Sequence, residues 1–274
     1  MSRFFSIITV CLNPGKRLSV TLKSIADQEF DDYEIIVKDG GSTDGSLDVL
    51  NAYKVRDLKL IEGKDAGIYD AMNIALKEAG GRYVCFLNCG DTFTDCDVLK
   101  DVARKIREYE ENGSEQKAVF YGNVIEKTTD TCVMSNPVID AFACYRNVPC
   151  HQACFYEREL VNAHPFNTRY RVRADYEQFL WCFFKAGAKM IYTDKVVACY
   201  EGNGYSESRE GKRLSDREHK AIVSDYMTKG QIFKYRMIML LSFSSLRSVI
   251  SKSRVLAGPY NALKRKIYSG KVER

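Results

Sequence analysis

The chain has 274 residues, 45% hydrophobic and 28% charged, which excludes a disordered or low-complexity protein and fits one large α/β domain with an appendage, or two small domains. Its formal net charge of +5 is mild, and no nucleic-acid partner is expected from it. The ten cysteines include no CxxC pair, and Cys11, Cys85, Cys154, Cys182 and Cys199 sit in apolar runs as small hydrophobes, so neither a disulfide framework nor a thiolate metal cluster is expected. Met1-Ser2-Arg3 leads straight into a strand, and no apolar run reaches the ~20 residues of a membrane-spanning helix. The expectation is a reducing, cytoplasmic compartment.

Phe4 to Leu12 (FFSIITVCL) is a continuous, β-branched apolar run, the pattern of a strand buried on both faces. Asn13-Pro14-Gly15 ends it, and Leu18, Leu22, Ile25 and Ala26 recur at helical spacing. Tyr33 to Val37 is the next strand, followed by Lys38 to Ser46, where Ser42 or Asp44 can cap a helix beginning near Ser46. Leu58 to Ile61 is a short strand. Ile68, Ala71, Met72, Ala75, Leu76 and Ala79 mark a helix that Gly80-Gly81 stops. Tyr83 to Leu87 is a fourth strand. The β-α-β-α-β-α-β alternation predicts an α/β fold with a mainly parallel sheet flanked by helices and its strand ends on one edge.

Beyond Asp91 the pattern loosens. Val98 to Tyr109 and Asp175 to Lys185 read as helices. Ala118–Tyr121, Cys132–Met134, Lys189–Tyr192 and Val196–Tyr200 read as short strands. Residues 140–160 mix aromatics, cysteines and polar groups. Residues 201–220 are polar and glycine-containing, the composition of a mobile loop. Gln231 to Ile250 is apolar and helical, flanked by Lys234, Arg236 and Arg247, and the tail from Tyr260 to Arg274 is basic. This C-terminal helical, basic extension suits an anionic membrane surface, or packing on the main domain or in a homodimer.

Three strand ends on the predicted edge carry polar signals: Thr9–Asn13, Asp39–Asp44 and Asn88–Asp91. Ligands of open α/β sheets bind outside the carboxyl ends of the strands. Asp39 can accept the ring N–H of a uracil. Asp91 suits Mg2+ or Mn2+, which take one or two carboxylates together with substrate phosphate oxygens. The plainer alternative is that Asp39 and Asp44 cap a helix and that Asn88-Cys89-Gly90-Asp91 is a strand-end turn.

Ser6 to Asn13, Ile35 to Gly45, Lys64 to Asn73 and Phe86 to Asp91 together resemble the family 2 glycosyltransferases, in particular the bacterial branch acting in capsule, O-antigen or colanic-acid-type polysaccharide assembly. The resemblance continues through His151-Gln152-Ala153 and Ala174 to Glu177 to Gly202-Asn203-Gly204-Tyr205-Ser206, about three-quarters of the chain. It implies a GT-A fold over residues 1–220, with a nucleotide-binding half of about 1–100, an acceptor half of about 101–220, and the extension at 221–274. It also implies inverting, hexosyl-type transfer from a nucleotide sugar, UDP-linked, to a glycan or lipid-linked acceptor, with Mg2+ or Mn2+, in the cytoplasm or on the inner face of its membrane.

By position, Asn13, Asp39, Asp65, Asn88 and Asp91 fall at the donor, Asp91 as the metal carboxylate. Asp175 falls on the acid that deprotonates the acceptor hydroxyl. His151, Glu177 and Arg209 are candidates for acceptor or diphosphate contact. His164 and His219 read as structural, and Trp181, Phe183 and Phe184 as core. Two stretches depart from the family pattern. Of the DXD-type motif only the last carboxylate, Asp91, remains, after Asn88, Cys89 and Gly90, which predicts weaker metal binding. Lys38 stands where relatives often carry an acid and is expected to point away from the ligand. The rival readings are a sugar nucleotidyltransferase, for which Asn13-Pro14-Gly15-Lys16-Arg17 is a poor phosphate loop, and a non-catalytic nucleotide-sugar-binding protein. A dehydrogenase is disfavoured because no GxGxxG follows the first strand.

Overall fold

The structure is a computed structural model and describes residues 3–52, 57–202 and 208–241. Among these residues nine strands form one sheet: β1 (Phe5–Cys11), β2 (Tyr33–Asp39), β3 (Leu58–Glu62), β4 (Tyr83–Phe86), β5 (Thr92–Phe93), β6 (Ala118–Glu126), β7 (Thr131–Val133), β8 (Cys154–Glu157) and β9 (Lys189–Tyr200). Their order is β3-β2-β1-β4-β8-β6-β9-β5, with β7 paired to β6. The helices are α1 (Arg17–Ala26), α2 (Ile68–Leu76), α3 (Val98–Glu111), α4 (Ala141–Arg146), α5 (Arg158–Ala163), α6 (Ala174–Phe184), α7 (Arg209–Tyr226) and α8 (Lys229–Leu241).

β1 to β4 pair in parallel, so their carboxyl ends share one edge, as expected. The second half of the sheet is mixed. β8 runs antiparallel to both β4 and β6, whereas β6 and β9 are parallel. This reversal brings the segment before β8 to the edge where β4 ends.

Burial on both faces explains the uninterrupted apolar runs. Phe5 and Ile7 of β1 join Leu18, Leu22 and Ile25 of α1 and Leu99, Val102 and Ile106 of α3 in one core layer. Ile8 and Val10 face the other way, toward Met72 and Ala75 of α2 and Phe179 and Leu180 of α6. Leu18, Leu22 and Ile25 are fully buried, and each contributes roughly 1.5–3 kcal/mol by leaving water.

Several expectations change. The polar stretch 201–220 is not a loop throughout, because α7 begins at Arg209 and the Ser208 hydroxyl caps it by accepting from the Gly211 N–H at 2.9 Å. Its buried positions are Gly211, Ser215, Glu218, Ile222 and Val223, so the inward face starts without apolar residues. The expected boundary near residue 220 falls inside this helix. The two late strands are one, β9, broken locally where Asp194 adopts a left-handed φ of 53° and the register with β6 slips. Residues 140–160 hold α4, a 3-10 turn at His151–Ala153 and β8. Gly204-Tyr205-Ser206, residues 242–250 and the basic tail lie outside the described residues. Among the described residues, no helix is long and apolar enough to cross a membrane.

Candidate active site

The β1 and β2 ends are stitched together. The Asn13 N–H donates to the Ser42 hydroxyl and its Oδ1 accepts from the Thr43 N–H, both at 2.8 Å. Asn13 holds φ at 45°, a conformation that asparagine tolerates better than most residues. Asp44 accepts from the Gly15 N–H at 2.8 Å and from Ser46, so it secures this loop pair and the turn into the 3-10 helix at Ser46–Ala52. Asp39 is buried, and its carboxylate accepts from the N–H groups of Gly41 and Ser42, each at 2.8 Å, and from the Ser42 hydroxyl. Burial pushes its pKa up, but these hydrogen bonds outweigh it and hold the carboxyl below the usual range.

Lys38 points to the other side of β2, and it is buried. Its ammonium donates to the carbonyls of Asp39 and Gly63, both at 2.6 Å, and sits 3.2 Å from Asp65 Oδ2. The lysine thereby ties the ends of β2 and β3 to Asp65. Asp65 Oδ1 accepts from the Gly67 N–H at 3.1 Å. Gly67, the residue before α2, has φ 130° and ψ 178°, a region essentially reserved for glycine.

At the end of β4, Asp91 is buried, and burial is the main reason its pKa is raised. One oxygen accepts from Gln152 Nε2 at 2.9 Å and the other from the Glu201 N–H at 3.2 Å. Glu201 arrives because β9 pairs with β5, placing Cys199 opposite Thr92. Gly90 has φ 100°, and a Cβ there would lie 2.8 Å from the Glu201 carboxylate. Lys127 donates to the Gly90 carbonyl at 3.1 Å, and Arg17 lies 3.7 Å from Glu201.

His151 links this turn to the other side of the site. Its Nε2 is 3.1 Å from Asn88 Nδ2 and its Nδ1 is 3.2 Å from Asp175 Oδ2. A proton on Nδ1 satisfies both contacts, since Nε2 then accepts from the amide. The Tyr69 hydroxyl donates to Asp175 Oδ1 at 2.9 Å. Burial pushes the Asp175 pKa up, but His151 and Tyr69 more than offset it, so the carboxyl lies below the usual range and is ionised at neutral pH. Burial first, then the Asp175 charge, push the Tyr69 phenol well above its ordinary value, so it stays a donor. α7 holds the start of α6, because Glu218 accepts from the N–H groups of Arg171, Val172 and Arg173 at 2.8–3.0 Å.

Not every expected residue gathers here. Glu177 is two positions beyond Asp175, about 200° further round the helix. Its buried carboxylate accepts from His164 Nε2 at 3.0 Å and from the Tyr226 hydroxyl, so it braces α6 against α5 and α7 instead of facing the site. Arg209 stands exposed in the first turn of α7, outside the hydrogen-bonded cluster. His164 stacks on Trp181 at 4.8 Å, and His219 lies between Tyr176 and the Tyr145 carbonyl, both structural settings. Sequence reading passed over Tyr69 and Glu218, and it gave Gln152 and Lys38 no part in the site. Tyr69 carried one available signal: a hydroxyl in the first turn of a helix whose other inward positions are aliphatic.

The oxygens at the β4 turn fit a hard divalent cation sparingly. Asp91 supplies one carboxylate. Asn88 Oδ1 is buried and has no hydrogen-bond partner among the described residues. Glu29, Cys96 and Asp97 also bring ligand atoms within 4.8 Å of one another. That cluster lies away from this edge, and Lys100 already pairs with Glu29 at 3.6 Å and with Asp97 at 3.1 Å.

Strand ends gathered on one edge, with an ionised carboxylate across from them, define an α/β group-transfer site of nucleotide-binding type. Residues 6–200 match the family described as Glycosyl transferase family 2, and the chain belongs to that family. It is a glycosyltransferase with a GT-A-like fold. The chain is 37% identical over 218 residues to the PGL/p-HBAD biosynthesis glycosyltransferase of Mycobacterium bovis (strain BCG / Pasteur 1173P2), covering 78% of this chain and 83% of that protein. Its fold matches S. aureus TarS 1-349 in complex with UDP-GlcNAc with a TM-score of 0.65 at 20% identity, covering 94% of this chain and 78% of that one. It covers 43% of the longer TarS chain. The mannosyltransferase PcManGT of Pyrobaculum calidifontis, in complex with GDP-Man and Mn2+, gives a TM-score of 0.64 at 16% identity over 99% of this chain and 81% of that one.

Proposed function

We propose that the protein is an inverting transferase that moves a sugar from a UDP-sugar to a hydroxyl of a glycan or lipid-linked acceptor in bacterial surface polysaccharide synthesis. The observation that carries this reading is the series Asn88–His151–Asp175, which joins the strand-end turn to a carboxylate kept ionised. The UDP-GlcNAc complex of TarS supports the donor class, and the PGL/p-HBAD biosynthesis named for the mycobacterial relative supports a role in a biosynthetic assembly.

Asn13, Asp39 and Asp65 form the nucleoside side, where the Asp39 turn is pre-set by Gly41 and Ser42. Asp91 and Asn88 Oδ1 would hold Mg2+ or Mn2+, whose charge offsets that developing on the leaving diphosphate. Asp175 takes the proton of the acceptor hydroxyl. The freed oxygen attacks the anomeric carbon from the face opposite the diphosphate, the bond to phosphate oxygen breaks, and the configuration inverts. His151 and Tyr69 fix the orientation of Asp175. Residues 1–100 supply the donor half and 101–220 the acceptor half, with work done at the cytoplasmic face of a membrane.

Asp175→Asn tests the assignment. Transfer should fall by about 10²–10⁴-fold, the usual worth of a positioned base, while calorimetric UDP affinity stays unchanged. Near-normal product formation would remove Asp175 as the base.

A further inference from the structure

α8 presents two unlike faces. One seats on α4: Tyr235 meets the rings of Phe142 at 5.4 Å and Tyr145 at 5.5 Å, and Ile232 packs into the same core. The other turns apolar groups to solvent, with Phe233 69%, Met237 38%, Leu240 65% and Leu241 73% exposed. At about 100° per residue these four fill a sector of roughly 100°. Lys229 and Arg236 border it on one margin and Lys234 on the other, all three exposed, and α8 contains no acid.

Charge selects the occupant. Residues 229–274 hold eleven of the 41 Lys and Arg residues and one of the 36 acids, a net +10, so residues 1–228 carry −5. A two-fold dimer through this face would set Lys229, Lys234 and Arg236 of one copy against the same three cations of the other, because an isologous interface pairs a patch with itself. A bilayer with anionic headgroups complements both the cationic margins and the apolar centre.

We propose that α8 lies flat on an anionic bilayer, with Phe233, Met237, Leu240 and Leu241 among the acyl chains and Lys229, Lys234 and Arg236 at the level of the phosphates. This deepens the membrane-face reading above by naming the helix face. It does not rest on the sugar chemistry, because lipid binding is measured without any sugar. The placement also orients the site. α8 sits on α4, and the Tyr176 hydroxyl of α6 donates to the Cys144 carbonyl of α4 at 2.6 Å, so the membrane side adjoins the helix that carries Asp175.

The test is co-sedimentation of the full chain with vesicles of phosphatidylcholine alone or mixed with phosphatidylglycerol. Wild type should pellet with the anionic vesicles and be released by salt, and Phe233→Glu/Leu240→Glu should bind at least about tenfold more weakly. Lys234→Glu/Arg236→Glu should weaken binding to anionic vesicles alone. Thermal melts and transfer to a soluble acceptor should match wild type in both variants, which separates this test from that of Asp175. Wild type failing to bind anionic vesicles would overturn the proposal, as would unchanged binding by Phe233→Glu/Leu240→Glu. So would loss of binding only when residues 242–274 are removed, or light scattering showing a dimer that this double variant splits.

Discussion

Replacing Lys38 by Met keeps the side-chain stem within β2 and removes only the ammonium. Three acceptors lose their donor: the carbonyls of Asp39 and Gly63 and the carboxylate of Asp65. A buried acceptor left unpaired costs about 1–3 kcal/mol, and breaking a buried ion pair from one side about 3–5 kcal/mol. Lys38 is 2% and Asp65 14% exposed at the side chain, so water rescues little of this. The contributions overlap, and a total of about 3–5 kcal/mol is expected, with Tm falling by about 2–4 °C for each kcal/mol in a chain of this size. Urea denaturation measures the first quantity and calorimetry the second. Asp65→Asn in the Lys38→Met background should cost much less than in wild type, since the two residues share one interaction. UDP should also bind more weakly, because the turn at Asp39 loses its anchor. A stability loss below about 1 kcal/mol, or strict additivity of the two substitutions, would show that the ammonium does not hold this edge together.

Two further predictions concern the acceptor side. The pKa of Asp175 is depressed in the folded state, so its stabilising contribution is present above its unfolded value and is lost as pH falls through the folded value. The acid limb of kcat/KM should therefore lie below the ordinary carboxylate range. His151→Asn removes the largest offsetting partner and should move that limb to higher pH; an unmoved limb would mean that His151 does not set the basicity of Asp175. Glu218→Gln weakens the brace on residues 171–173. It should lower kcat by roughly 10–100-fold, corresponding to about 1–3 kcal/mol of lost positioning, while a UDP titration stays at wild-type affinity.

The strand-end edge proposed for the donor was largely legible in the sequence and the side proposed for the acceptor was not, for a physical reason. Strands β1, β2 and β4 are buried on both faces, so each reads as an apolar run with an abrupt polar end, and parallel pairing then fixes where those ends meet. Asn13, Asp39 and Asp91 follow from that alone. β8 is four residues long and follows a single 3-10 turn, too short for any period to show. Only the resemblance singled out His151 and Asp175. α7 was hidden because its buried positions include Ser215 and Glu218, which serve hydrogen bonds to Arg173 and to the residues before α6. Lys38 was misjudged because strand alternation gives the direction of a side chain but not what waits there, in this case two carbonyls and a carboxylate.

The closed state of the Asp91 carboxylate bears on how a cation and the chain after β9 share that position. Gln152 and the Glu201 amide both aim the positive ends of N–H dipoles at the oxygens a divalent ion would use. A divalent ion held by Asp91, as proposed, would compete with these donors for one negative charge, so its occupancy and the seating of Glu201 would be thermodynamically linked. Releasing one of these charge-assisted bonds costs about 1–3 kcal/mol, which weakens the apparent affinity of an ion by about 5–150-fold. The same linkage works in reverse. An ion bound there would push against Glu201, and through it against Arg17 and Thr128, which contact that residue at 3.7 Å and 2.9 Å. On the proposed metal role of Asp91, cation occupancy would be felt at the strand-end turn as chain position.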